Sequence, residues 1–321
     1  MAINPETNTV YVSNNKSNSI LVIDGSSNKV VDRIEIQRPR KLVINSNSQR
    51  LYAISGKAGG FWKGDVSNQI SVIDISSNKI IKTIGENEDF LDIAINPKTN
   101  LLYAIRIGSV EVDIFDSSSI SFVGNIGAGR YLSCLSVDLY KNKIYLGKYA
   151  DGYRKLSVDV IDGDSKTLEQ TFTGSRNYGS GGTTIDEIYI NSKSNAAYLV
   201  GHSYSDRGEH QSPFLSRLNE RTNQIEKSNL KFSNEDGVAF DQSRNRIYSS
   251  NTKKRKVLIF DENLEEIGSV PYAPEWKGFW QKFTKGGAYF KRDLVINPTT
   301  SKIFVIGVDE DKDDCLYILK N

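Results

Sequence analysis

Short apolar runs alternate with polar turns from one end of the chain to the other, and no stretch carries the three-to-four spacing of an amphipathic helix. The runs follow a grammar. Ile3-Asn4-Pro5 is followed by Val10-Tyr11-Val12-Ser13-Asn14 and then by Val22-Ile23-Asp24. The first two parts return as Ile44-Asn45 with Tyr52, Ile95-Asn96-Pro97 with Tyr103, and Val137-Asp138 with Tyr145. They return again as Ile190-Asn191 with Tyr198, Phe240-Asp241 with Tyr248, and Ile296-Asn297-Pro298 with Phe304. In all seven copies the Asn or Asp stands seven residues before the aromatic. The third part returns as Val72-Ile73-Asp74, Ile114-Phe115-Asp116, Val160-Ile161-Asp162, Leu218-Asn219 and Ile259-Phe260-Asp261, while the last copy keeps Tyr317-Ile318-Leu319.

Each copy predicts a four-stranded antiparallel unit. A short strand ends at the Asn landmark, where Asn-Pro and polar residues force a turn. The Tyr strand comes second, the strand ending in Asp third, and a β-branched strand such as Val30-Val31-Asp32-Arg33-Ile34 fourth. One such sheet cannot bury both of its faces; seven arranged radially can. The expected fold is therefore all-β, a seven-bladed β-propeller spanning residues 1–321 as one domain. The chain stops right after the third strand of its last copy, so that blade is expected to have three strands unless residues upstream of Met1 in the natural gene supply a fourth.

The pattern resembles the YVTN-repeat family of seven-bladed propellers, written here as Tyr11-Val12-Ser13-Asn14 with Val22-Ile23-Asp24. The resemblance runs the length of the chain and speaks to fold more than to function. It implies kinship with seven-bladed propellers that hydrolyse sugar lactones, and equally with non-catalytic surface propellers.

Composition removes several classes. Forty-one Lys and Arg against 39 Asp and Glu leave a net charge of +2, without the basic excess of a nucleic-acid binder. No apolar run reaches the length of a membrane span, and no signal peptide is visible, although an extracytoplasmic location is expected from an upstream export segment. Two cysteines make no disulfide scaffold, haem-attachment motif or CxxC pair. Neither haem nor a nucleotide is expected as cofactor. The run Lys253-Lys254-Arg255-Lys256 reads as a solvated basic turn.

Length variation falls on one face of the predicted disc. That face carries the second-to-third-strand loops and the blade-to-blade connections, with insertions at Ser55 to Asn68, Gly147 to Lys155, Thr173 to Thr184, Gly201 to Pro213 and Pro271 to Lys291. These hold Trp62, Trp276 and Trp280, which are all the tryptophans, and both histidines, His202 and His210. Tyr149 and Tyr204 join them. Insertions on one face of a repeat array mark its binding side, so Trp62, Tyr149, Tyr204, Trp276 and Trp280, with Arg40, are the expected ligand contacts. The ligand is expected to be a small molecule and the protein a monomer.

Four residues before the landmarks stand Lys41, Asp92, Cys134, Glu187, Gly237 and Asp293, with Arg40, Asp186, Asp236 and Arg292 one position earlier. Carboxylates gathered at a channel mouth repel one another, which raises some of their pKa values or recruits a divalent cation such as calcium, magnesium or zinc. Asp92, Glu187 and Asp293 are the expected metal ligands. His202 and Glu187 are the expected catalytic pair, because an imidazole beside a carboxylate can activate water. Cys134 is expected to be a buried thiol. With no GxSxG motif, serine-esterase chemistry is disfavoured. Two functions follow: a hydrolase opening a lactone or cyclic ester at the channel mouth, or a non-catalytic propeller that binds a protein, glycan or small ligand.

Overall fold

A strand buried on both faces should read as a nearly continuous apolar run, and the second and third strands do so apart from buried polar residues such as Ser71, Asp113 and Ser250. In the computed structural model they form the buried middle of seven antiparallel units. The structure describes residues 1–15, 17–56, 68–86, 88–150, 155–174, 182–192, 194–204, 211–227, 237–251, 254–271, 294–308 and 314–320. Blade one comprises Ala2–Asn4, Thr9–Asn14, Ser19–Asp24 and Lys29–Glu35, paired in that order. Blade seven comprises Leu294–Ile296, Lys302–Val308 and Asp314–Lys320 and has three strands. Among the described residues no helix is long and apolar enough to cross a membrane.

Alternation along each strand feeds two interfaces at once. Tyr11, Ile20 and Val22 pack against Leu51, Ala53 and Ile73 of blade two, whereas Val10, Val12, Leu21 and Ile23 pack against Phe304, Ile306, Leu316 and Ile318 of blade seven. Five further clusters join blades two to three, three to four, four to five, five to six and six to seven. The ring is therefore closed by side-chain packing between consecutive blades. Each fully buried Val, Ile or Leu contributes roughly 1.5–3 kcal/mol.

The landmark residues add a polar belt on the lower face. All seven (Asn4, Asn45, Asn96, Asp138, Asn191, Asp241 and Asn297) are buried, and each caps its own turn by accepting a hydrogen bond from the amide two or three residues on. Their outward atoms reach the next blade. Asn45 Nδ2 donates to Asn100 Oδ1 at 3.0 Å, Asn96 Nδ2 to Asn142 Oδ1 at 2.9 Å, and Asn297 Nδ2 to Asn8 Oδ1 at 2.5 Å. Asn191 makes the same bond to Asn245. The acceptors Asn8, Asn100, Asn142 and Asn245 all sit in the left-handed region, which asparagine tolerates better than most residues.

Blade one breaks the belt. Asn4 Nδ2 is buried without a partner, and the matching residue of blade two is Gln49, also left-handed at φ 54°, whose side chain turns back to Ser46 O at 2.6 Å. Gln49→Asn should restore the missing acceptor and suit the backbone better. We expect a gain of about 1 kcal/mol, a rise in melting temperature of roughly 2 °C. A melt no higher than wild type would show that the orphaned amide costs nothing.

The third-to-fourth turns carry a second repeated device. Asp24 accepts from Ser27 Oγ at 2.6 Å and Ser26 N at 2.9 Å, and Asp116 accepts from Ser119 N at 2.7 Å and Ser118 N at 2.9 Å. Hydrogen bonds to the charged form hold both carboxyls below the usual range, chiefly that from the Ser27 hydroxyl for Asp24 and that from the Ser119 amide for Asp116. A folded pKa below the unfolded value means stability that is present above about pH 4 and lost as pH falls through the folded value. Melting temperature should therefore drop on the acid side, and Asp116→Asn should flatten that limb. Superimposable acid limbs from pH 2.5 to 7 would overturn the assignment.

Candidate functional site at the upper channel mouth

First strands of blades one to five lie side by side in order, as do those of blades six, seven and one, so their upper ends form the mouth. In blades three, four and five that end carries a β-bulge. Leu91, Ser133 and Asp186 are the extra residues, lying beside Asp92, Cys134 and Glu187. A bulge re-aims a side chain that a regular strand would point elsewhere.

In blade five the bulge brings two groups together. The strands Gly182–Asn191, Ala196–Tyr204 and Gln211–Asn219 reach well above the landmark turn. His202 lies opposite Thr184 on one side and Pro213 on the other, and its Nδ1 is 2.8 Å from Asp186 Oδ2. Both side chains are about one-fifth exposed, at 18% and 20%. A carboxylate at Nδ1 fixes the neutral imidazole with its proton there and its lone pair at Nε2, which is the form of a general base. Sequence reasoning treats Gly201 to Pro213 as a loop. Strand pairing instead continues through Ser203↔Ser212 and Tyr204↔Gln211, so His202 sits in a strand.

Glu187 is close by but engaged elsewhere. The Tyr189 hydroxyl donates to its carboxylate and lies 2.6 Å from the Val238 carbonyl of blade six. Asp92 is buried and tied on both oxygens: Ile93 N–H donates to Oδ1 and Leu135 N–H to Oδ2, both at 2.9 Å, while Lys41 Nζ stands 3.5 Å from Oδ1. Burial pushes the Asp92 carboxyl up despite these partners, and the charge of Glu187 adds to the push. Asp92 thus stitches blades two, three and four together at the mouth. Cys134 is a free, buried cysteine, and burial pushes its thiol far above the usual range, with Asp92 adding to it. A thiol so placed is not ionised at neutral pH and makes a poor nucleophile.

Among the described residues no three His, Cys, Asp or Glu side chains are grouped to hold a metal ion. The expected ligands Asp92 and Glu187 have the partners just given, and Asp293 lies outside the described residues. Trp62, Trp276, Trp280 and His210 lie outside them too, as does the side chain of Tyr204, whose backbone ends the second strand of blade five. Arg40 is exposed at the blade-two mouth position and donates to the buried Asn68 Oδ1. Tyr149 is 40% exposed on the upper face. Two residues that sequence reasoning leaves unassigned belong here. One is Tyr131, whose ring meets that of Tyr149, and the other is Asp186 as the partner of His202. A separate cleft between blades one and two is lined by Asn18, Glu35, Gln37, Gln69 and Thr83.

No protein-family model matches the chain, and no curated protein matches it. Among solved structures it is similar to a chain described as Kuenenia stuttgartiensis hydrazine synthase, with a TM-score of 0.72 and 14% identity, over 100% of this chain and 94% of that one. At that identity the likeness concerns fold alone, and it agrees with the propeller-like, all-β architecture built up from the repeat.

Proposed function

We propose that this chain is a hydrolase that opens a lactone or related cyclic ester at the upper mouth, with His202 as general base and Asp186 orienting it. The observation that supports this reading is the 2.8 Å contact between His202 Nδ1 and Asp186 Oδ2 on the most elaborated blade. Nε2 takes a proton from water as the oxygen adds to the ester carbonyl. The tetrahedral oxyanion then collapses, the ring C–O bond breaks, and the proton passes from His202 to the departing alkoxide. Ring opening keeps both products in one molecule, so no covalent enzyme intermediate is required. Lys41 and Arg40 carry positive charge on blade two, three blades round the ring from His202, and a developing oxyanion at the mouth would gain from it. The route needs no cation. A divalent ion held by Glu187 and Asp293 would instead polarise the carbonyl, and we keep it as a separate proposal.

The repeat supports placing the chain with YVTN-type propellers, and we propose that it acts as a monomer on a small molecule. A pH-stat assay of acyl-homoserine, sugar and simple δ-lactones, with and without chelator, tests the reading. Turnover that survives chelation supports the His202 route, and turnover lost on chelation supports the cation. No hydrolysis above buffer discards the hydrolase and leaves a propeller that only binds its ligand.

A further inference from the structure

We infer that Tyr131 and Tyr149 form a shelf for an aryl ring, so that the cyclic ester opened beside His202 is one bearing an arene. The inference rests on the assignment of hydrolysis to the His202–Asp186 pair, but three independent observations carry the shelf itself. The two rings meet edge to face with centroids 4.9 Å apart and planes at 89°, and Tyr149 is 40% exposed. An aromatic pair with one exposed and one half-buried ring presents ring face and edge to a third arene, which gains contacts that an alkyl chain cannot make. Val110, 45% exposed, is joined to the same connection, its carbonyl accepting from Gly129 N, two residues before Tyr131, at 3.0 Å.

The backbone at Tyr131 supplies the second observation. Its φ is +72°, a region that bulky side chains rarely adopt and glycine enters freely. Arg38, which stands as far before the blade-two landmark as Tyr131 does before the blade-four landmark, is also left-handed, at φ 41°. At Tyr131 an aromatic stands where glycine would relieve the strain. Strain of this kind collects at functional sites.

Continuity with the dyad is the third. Ala150, next to Tyr149, forms an isolated bridge across the blade boundary to Thr183, with N···O distances of 2.7 and 2.8 Å. Thr183 pairs with Ser203, and the adjoining Thr184 pairs with His202. The loop that holds the shelf is thus hydrogen-bonded to the strand opposite the imidazole.

The test compares dihydrocoumarin with δ-valerolactone, which share the six-membered lactone and differ in the fused arene. In Tyr149→Ala, KM for dihydrocoumarin should rise about three- to tenfold, KM for δ-valerolactone should stay within about twofold, and kcat should hold for both. Tyr149→Phe, which keeps the ring, should recover most of the dihydrocoumarin KM that Tyr149→Ala loses. Tyr131→Gly should show the same KM split while melting at or above the wild-type temperature; a merely structural Tyr131 would melt lower. Hydrolysis with both KM values unchanged, or raised equally, overturns the shelf and leaves the reaction standing. If neither lactone is turned over, binding of chroman, which has the arene without the carbonyl, decides by NMR titration. Shifts that vanish in Tyr149→Ala keep the shelf and remove the reaction, and no shift in the wild type overturns both.

Discussion

His202→Ala is expected to lower kcat for lactone opening by about 10²- to 10⁴-fold, the range that a positioned general base contributes, with the melting temperature little changed. The imidazole is partly exposed and its strand is held by backbone pairing to Thr184 and Pro213, so removing the ring empties a solvent-facing position and leaves the ladder intact. Asp186→Asn should also cost most of the turnover, because an amide no longer enforces a proton on Nδ1 and the lone pair on Nε2. Glu187→Gln separates the two carboxylates. If Tyr189 holds Glu187 for packing against blade six, this change should cost less than about tenfold, far below the general-base range. Full turnover in His202→Ala would remove His202 from the mechanism. A larger loss in Glu187→Gln than in Asp186→Asn would return the base to Glu187.

That choice between adjacent carboxylates shows where the sequence is legible and where it is not. The landmark spacing locates the seven copies, because a buried Asn or Asp that caps its own turn and bonds across a blade boundary tolerates no change of register. Upward from the landmark the spacing misleads by one residue. Counting back from Asn191↔Ala196 along a regular ladder puts Ile185 opposite His202. The bulge puts Thr184 there and turns Asp186 to the imidazole. The local signal that could have found the bulge is the doubled polar position, Asp186 with Glu187, between Ile185 and Ile188.

Other features come from three-dimensional neighbours. The single parallel bridge Thr173↔Gln224 joins the outer strands of blades four and five into one eight-stranded sheet, and no pattern within either strand encodes it. One carboxylate of the ring anticipated from the repeat has structural partners of its own. Asp92 is consumed by two amides and Lys41, an arrangement that depends on Leu135 of another blade. Spacing alone cannot distinguish a structural carboxylate from a ligand-binding one, whereas its hydrogen-bond partners can.

Gly201→Ala is expected to be the most damaging single methyl in the site. A Cβ at this position would stand 2.2 Å from the Thr184 carbonyl oxygen and 2.5 Å from Phe214 Cζ, closer than nonbonded atoms approach. Phe214 pairs directly across from Gly201 and its ring covers the gap the glycine leaves. Neither obstacle can yield cheaply. Phe214 is buried in the cluster between blades four and five, and Thr184 is flanked by Thr183, which is itself tied to Ala150. Overpacking of this kind costs about 1–3 kcal/mol and more where backbone must move, so a fall in melting temperature of roughly 6 °C or more is expected. Gly268→Ala is the internal control, since its Cβ would meet nothing within 4 Å, and it should stay within about 0.5 kcal/mol of wild type. Because the strain enters the strand pair that sets Asp186 against His202, kcat should fall with stability in Gly201→Ala even at temperatures where the variant is folded. A Gly201→Ala protein that melts and turns over like the control would mean that the close approach of these strands, and with it the geometry assigned to the dyad, is wrong.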